Sequence, residues 1–152
     1  TIQAISSILY LKEQGFIQKR VVIIVPTSLI NNWENELDKF APSLGYFSYY
    51  GLKRKLQEAD ILITTYDIAR RDLAKLKKEK IDCLIIDEAQ KIKNPNTETS
   101  KAIKSLKAKY KIALSGTPVE NNLSELWSIF DFALPKYLRT LKDFQKNYAK
   151  DI

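Results

Sequence analysis

At 152 residues, 45% hydrophobic and 28% charged, the chain is long enough for one packed core and too apolar for a disordered segment. Its net charge of +7 favours a polyanionic partner, although a solvated lysine-rich surface has the same composition. There is no histidine and one cysteine, Cys83, which excludes His-based triads, His-ligated metals, an internal disulfide framework and thiolate metal clusters.

The first residues, TIQAISSILYLKEQ, carry neither a basic leader nor a small-residue cleavage site and read as structure. RVVIIVP, DILITTY, DCLIIDE and YKIALSG are short β-branched runs with little polar interruption, the pattern of parallel strands covered on both faces. The longest apolar runs, VVIIV and CLII, are strand-sized, well short of the ~20 residues of a membrane-crossing helix. Helical spacing falls between the strands: Leu29, Trp33, Leu37 and Phe40; Ile68, Leu73 and Leu76; Ile103 and Leu106; Leu123, Leu126, Trp127 and Phe130. A weaker alternation from Tyr46 to Gly51 adds a strand of unread direction. Pro26, Pro42, Pro95, Pro118 and Pro135 fall at element edges, and no Gly/Ser linker divides the chain. Leu138, Leu141, Phe144 and Tyr148 mark a last amphipathic segment. The order βαβα predicts one α/β layered domain around a mostly parallel sheet.

In such sheets the working residues gather beyond the carboxyl ends of the strands. Those positions read PTSLINNW, TTYD, DEAQKIKN and SGTPVENN. The most specific is LIIDEAQ, a strand ending in Asp87 and Glu88. Phosphoryl transfer to water needs a divalent cation and a group that positions or deprotonates the water, and this pair can supply both: Asp87 for Mg²⁺, Glu88 for the water. A pair of acids capping a helix is the plainer alternative. ALSGTP offers small hydroxylated residues and a glycine, Gly116, that permits close backbone approach; it can sense a γ-phosphate or be an ordinary turn.

Taken together the blocks TIQAIS, VPTSLINNWENE, ILITTYD, IIDEAQKIKN and ALSGTPVENNLSELWSIFDF resemble, in order, the Swi/Snf branch of superfamily-two helicases and translocases. SGTP followed by ENNLSELW separates this branch from DEAD-box RNA helicases, which carry serine-alanine-threonine there. The resemblance implies an α/β fold of the RecA-like P-loop NTPase type, three layers α/β/α, with ATP and Mg²⁺ as cofactors. It makes Asp87 and Glu88 the Walker B pair, and it assigns Gln90, Ser115, Gly116 and Thr117 to coupling between nucleotide state and lobe movement. Gln90 departs from the histidine of many relatives. Pro26, Thr27 and Ser28, with Thr64 and Thr65, match motifs that touch the phosphate backbone of DNA, and Lys93 and Asn94 lie where the family continues toward DNA. For PTS and TTYD, helix capping is the alternative, and both can hold together. Trp33 and Trp127 read as core residues.

The resemblance also implies a gap. A P-loop has the form GxxxxGK[ST], and only Thr1, its Mg²⁺-ligating hydroxyl, matches, so the P-loop strand expected beside ALSG is lacking. Residues 1–135 then form an N-terminally truncated ATP-binding lobe, and 136–152 lead toward a second RecA-like lobe. Arg20, Arg54, Arg70, Arg71 and Arg139 are the only arginines, none in an arginine-finger context, so that lobe supplies the finger. The lysine-dense SKAIKSLKAKYK reads as a solvated helix face with Ile103 and Leu106 inward, with a DNA-lining surface as the alternative. The function implied is ATP-driven translocation on double-stranded DNA, intracellular, with this piece inactive alone. A non-catalytic binding module on a degenerate helicase fold is the competing class.

Overall fold

The computed structural model describes residues 1–117 and 123–148. Residues 118–122, the last five of the SGTPVENN motif, and residues 149–152 lie outside the described residues. Five strands, β1 (Arg20–Val25), β2 (Tyr46–Tyr49), β3 (Ile61–Thr65), β4 (Ile81–Ile86) and β5 (Tyr110–Ala113), form one sheet in the order β2-β3-β1-β4-β5. Every pairing is parallel, which settles the direction of the Tyr46 strand. It lies at one edge and β5 at the other, so β5, where the resemblance places a P-loop strand, pairs on one side only among the described residues.

Seven helices, α1 (Ile2–Glu13), α2 (Ile30–Phe40), α3 (Tyr66–Arg71), α4 (Leu73–Lys77), α5 (Glu98–Ser105), α6 (Leu123–Ala133) and α7 (Leu141–Tyr148), are found among the described residues. The period-two alternation of the strands sorts them into two layers. Val21, Ile23, Val25, Ile61, Ile63, Cys83 and Ile85 face Ala4, Ile5 and Ile8 of α1 and Ile30, Trp33 and Leu37 of α2. Val22, Ile24, Leu62, Leu84 and Ile86 face Ile68, Leu76, Ile103, Ile129 and Phe132 from α3 to α6. The expected three-layer α/β/α arrangement is therefore present, and β1 and β3, fully buried, lie at its centre. None of the described helices is long and apolar enough to cross a membrane.

One irregularity sits at the start of β4. Arg20 pairs with Ile81 but Val21 with Cys83, leaving Asp82 as the extra residue of a bulge. Its carboxylate accepts the backbone N–H groups of Gln18 and Lys19, both at 2.6 Å. The bulge reverses the alternation, and Ile81 packs on the opposite layer from Cys83.

Two helical expectations change in detail. The segment through Ile68, Leu73 and Leu76 is two short helices, broken at Asp72, whose carboxylate is taken by Arg54 (2.7 and 3.0 Å) and by the Tyr49 hydroxyl (2.6 Å). Leu106 lies just beyond α5 but is buried like Ile103. Phe144 of α7 is buried and Tyr148 exposed; α7 packs against α6, and the Trp127 indole donates to the Arg139 carbonyl at 3.2 Å.

Candidate nucleotide and nucleic-acid site

The acidic turn begins where β4 still follows β1: the Asp87 N–H donates to the Ile24 carbonyl at 2.9 Å. The Asp87 carboxylate is then held by two donors. Its Oδ1 accepts the Glu88 N–H and its Oδ2 accepts the Trp33 indole N–H, each at 2.8 Å. The Tyr66 hydroxyl donates to the Asp87 carbonyl at 2.6 Å. Burial, reinforced by the nearby Asp87 and Glu88 charges, holds the Tyr66 phenol well above its usual ionisation range, so it remains a donor. Glu88 has φ 53° and ψ 54°, a left-handed conformation that costs a non-glycine residue roughly 1–2 kcal/mol. Such strain persists where surrounding contacts fix it.

Those contacts come from the neighbouring loop. The Ala89 N–H donates to the Leu114 carbonyl at 2.8 Å, tying the turn to the end of β5. The Gln90 Nε2 donates to the Glu88 carboxylate, and its Oε1 accepts the Ser115 hydroxyl at 3.0 Å. Ser115 Oγ accepts the Thr117 N–H at 3.2 Å. A carboxylate only accepts, so the Gln90 amide orientation is fixed, and donors and acceptors alternate from Thr117 to Glu88. The two loops thus stand at one end of the sheet, and the carboxylates meet indole and amide donors there. Gly116 is exposed, and among the described residues nothing lies within 4 Å of where its Cβ would stand. The close approach expected at this glycine finds no partner among the described residues.

Among the described residues there is no cluster of three or more acidic, cysteine or histidine side chains that could hold a metal. A hard cation that takes most of its oxygen ligands from phosphates and water fits this sparse set, since each Asp87 oxygen accepts one N–H and keeps lone-pair capacity. Thr1 heads α1, is half-buried and makes no side-chain cap bond. Capping of α1 thus does not use its hydroxyl.

On the nucleic-acid side, Pro26 opens a 3-10 turn, Thr27–Leu29, before α2. Thr27 and Ser28 are exposed, and no side chain caps either helix start, so capping does not account for these hydroxyls. Thr65 does cap α3, its hydroxyl accepting the Ile68 N–H at 3.1 Å. Thr64 is fully buried and donates to the Tyr49 carbonyl at 2.8 Å, which fixes β2 rather than facing the surface. Pro26, Thr27, Thr65, Tyr66, Asp67 and Lys91 line one depression of about 190 Å³. Lys91 was not legible as a site residue, because only the 3-10 turn Ala89–Ile92 swings it there. Lys93 lies 3.7 Å from Glu125 and, with Asn94, lines a separate depression of about 250 Å³ together with Ser124 and Gln145.

The SNF2-related domain profile matches residues 1–152. The chain is 41% identical over 167 aligned residues to the TATA-binding protein-associated factor MOT1 of Saccharomyces cerevisiae, covering all of this chain and 9% of that protein. It is 40% identical over 136 residues to an uncharacterized ATP-dependent helicase of Mycoplasma genitalium, covering 86% of this chain and 13% of the other. Among solved structures, the Sulfolobus solfataricus SWI2/SNF2 ATPase core in complex with dsDNA superposes with a TM-score of 0.88 at 42% identity, over 97% of this chain and 31% of that one. This chain thus spans a minor part of the length of each relative. With the whole chain matched and the RecA-like sheet superposed, it belongs to the SNF2 family of helicase-like ATPase domains.

Proposed function

We propose that this domain is part of the first motor lobe of an ATP-driven translocase on double-stranded DNA, acting in a longer polypeptide that completes the ATP site. The observation that carries the reading is the hydrogen-bonded chain from Thr117 through Ser115 and Gln90 to Glu88. It ties the residue that would handle the attacking water to the loop that would respond to nucleotide state. Asp87 and Thr1 would hold Mg²⁺, which when bound neutralises phosphate charge. Glu88 orients the water and takes its proton. Gln90, Ser115, Gly116 and Thr117 relay the state of the site to the rest of the motor.

Pro26, Thr27, Ser28 and Thr65 meet the phosphate backbone of one strand, with Lys93 and Asn94 farther along. Hydroxyls and amides bind phosphate without reading bases, which suits movement over any sequence. Thr64 supports this surface from beneath. Residues 136–152 lead toward a second RecA-like lobe that supplies the cationic finger. In support, Arg20, Arg54 and both Arg70 and Arg71 are committed to carboxylates of this domain.

The test is ATP turnover of the polypeptide carrying this domain, with and without duplex DNA. Duplex should stimulate turnover, Glu88→Gln should abolish it, and the 152-residue chain alone should hydrolyse no ATP. Turnover indifferent to every nucleic acid would overturn the translocase reading and leave a non-catalytic module on the same fold.

A further inference from the structure

Each of the two loops facing the proposed DNA strand is followed by a buried aromatic donor, and both donors converge on Asp87. After the Thr27–Leu29 turn, α2 carries Trp33, with no exposed surface, to the Asp87 carboxylate at 2.8 Å. Directly after Thr65, Tyr66 delivers its hydroxyl to the Asp87 carbonyl at 2.6 Å. The two arrive from opposite faces of the sheet, Trp33 from the layer of α1 and α2 and Tyr66 from the layer of α3 to α6. Between them they hold the side chain and the main chain of one residue.

Packing alone does not require this. A phenylalanine in place of Tyr66 would fill nearly the same space, one in place of the fully buried Trp33 would leave part of the indole's volume empty, and the Trp33 indole did not need a carboxylate to be satisfied in a core. A hydrogen bond to a carboxylate is stronger than one between neutral groups, and its geometry is sensitive to displacement. Trp33 rides on the helix that starts at the Pro26 turn, so a shift of that turn on meeting phosphate moves the indole N–H relative to the carboxylate.

We propose that Trp33 and Tyr66 are positioning residues that transmit occupancy of the Pro26–Ser28 and Thr65 loops to Asp87, and so make turnover depend on DNA. The inference rests on the proposed translocase function. The same contacts also couple binding: where DNA occupancy changes Mg²⁺-nucleotide affinity through this pair, nucleotide changes DNA affinity by the same factor, a reciprocity that covers binding and not turnover.

The experiment uses the intact polypeptide carrying this domain, with Trp33→Phe, Tyr66→Phe and the wild type. Two quantities are read: the ratio of turnover with duplex DNA to turnover without it, and the ratio of duplex affinities with and without a non-hydrolysable Mg²⁺-nucleotide analogue. In the variants we expect both ratios to fall about tenfold toward one. Tyr66→Phe removes only a hydroxyl, so it decides the matter if Trp33→Phe fails to fold. Variants that lose thermal stability but keep both wild-type ratios would show that the two aromatics merely fill the core, and the inference is then wrong while the translocase reading stands. A wild type with no DNA stimulation removes the translocase reading and this inference with it.

Discussion

Ser115 Oγ stands 3.0 Å from Gln90 Oε1, so the ends of β4 and β5 are joined by a side-chain contact as well as by the Ala89–Leu114 backbone bond. The amide is suited to this because one end donates to Glu88 and the other accepts from Ser115. Gln90→Glu places a second carboxylate against Glu88 and removes that donor. In the intact protein, DNA-stimulated turnover is expected to drop roughly tenfold, on the scale of one coupling free energy, while nucleotide binding persists. Steady-state turnover and equilibrium nucleotide titration separate the two effects.

Glu88→Gln keeps the size of the side chain and removes its basicity. Loss of a general base costs about 10²- to 10⁴-fold in rate, so turnover should vanish into background while ATP still binds. Because Gln90 Nε2 then faces a neutral amide, thermal stability should change little. Residual turnover at the wild-type level would mean another group handles the water.

The two adjacent threonines should part company. Thr65→Ala removes the α3 cap and is expected to lower stability by about 1 kcal/mol, and it should also weaken duplex binding. Thr64→Val leaves the buried Tyr49 carbonyl without its donor and should lower stability by about 1–3 kcal/mol with no change in DNA affinity. Chemical denaturation and a duplex-binding titration on the same samples give the four values.

Asp72 is held by Arg54, whose hydrogen bonds lower its pKa to about 2. Its folded value lies below the unfolded one, near 3.9, so the stabilisation is complete above the unfolded value and is lost as pH falls through about 2. Asp72→Asn should lower the melting temperature by roughly 5 °C at neutral pH. The gap between variant and wild type should then close as the pH is taken from about 4 to about 2. A gap that is independent of pH would show that the carboxylate charge is not what holds the Tyr49, Arg54 and Asp72 group together.

Most of the framework was legible in the residues because both signals are local. Unbroken β-branched runs give buried parallel strands, and spaced apolar residues such as Trp33 and Leu37 give helices. Side chains that act across the fold were not legible. Trp33 was read as a core residue, and it is one, but nothing in its neighbours on the chain reveals the carboxylate 54 positions away. The helical spacing of Ile68, Leu73 and Leu76 runs straight across Asp72, and it carries no sign of the break there or of Arg54 and Tyr49, which β2 and the loop after it bring to that carboxylate. Lys91 needed the 3-10 turn to be visible beside Pro26 and Thr65. Thr64 and Thr65 share a motif, yet strand alternation sends one hydroxyl inward and the other to a helix start.

The Asp82 bulge sets Ile81, the first residue of β4, apart from the four that follow it. Ile81 stands out of phase with them, so a residue gained or lost in the turn before it can be absorbed at the foot of the sheet. The far rim cannot vary so freely in phase, because from Cys83 upward each step is locked to β1, and a slip of one there would turn Asp87 away from Trp33. The domain thus keeps its tolerance for length change at the end remote from its chemistry.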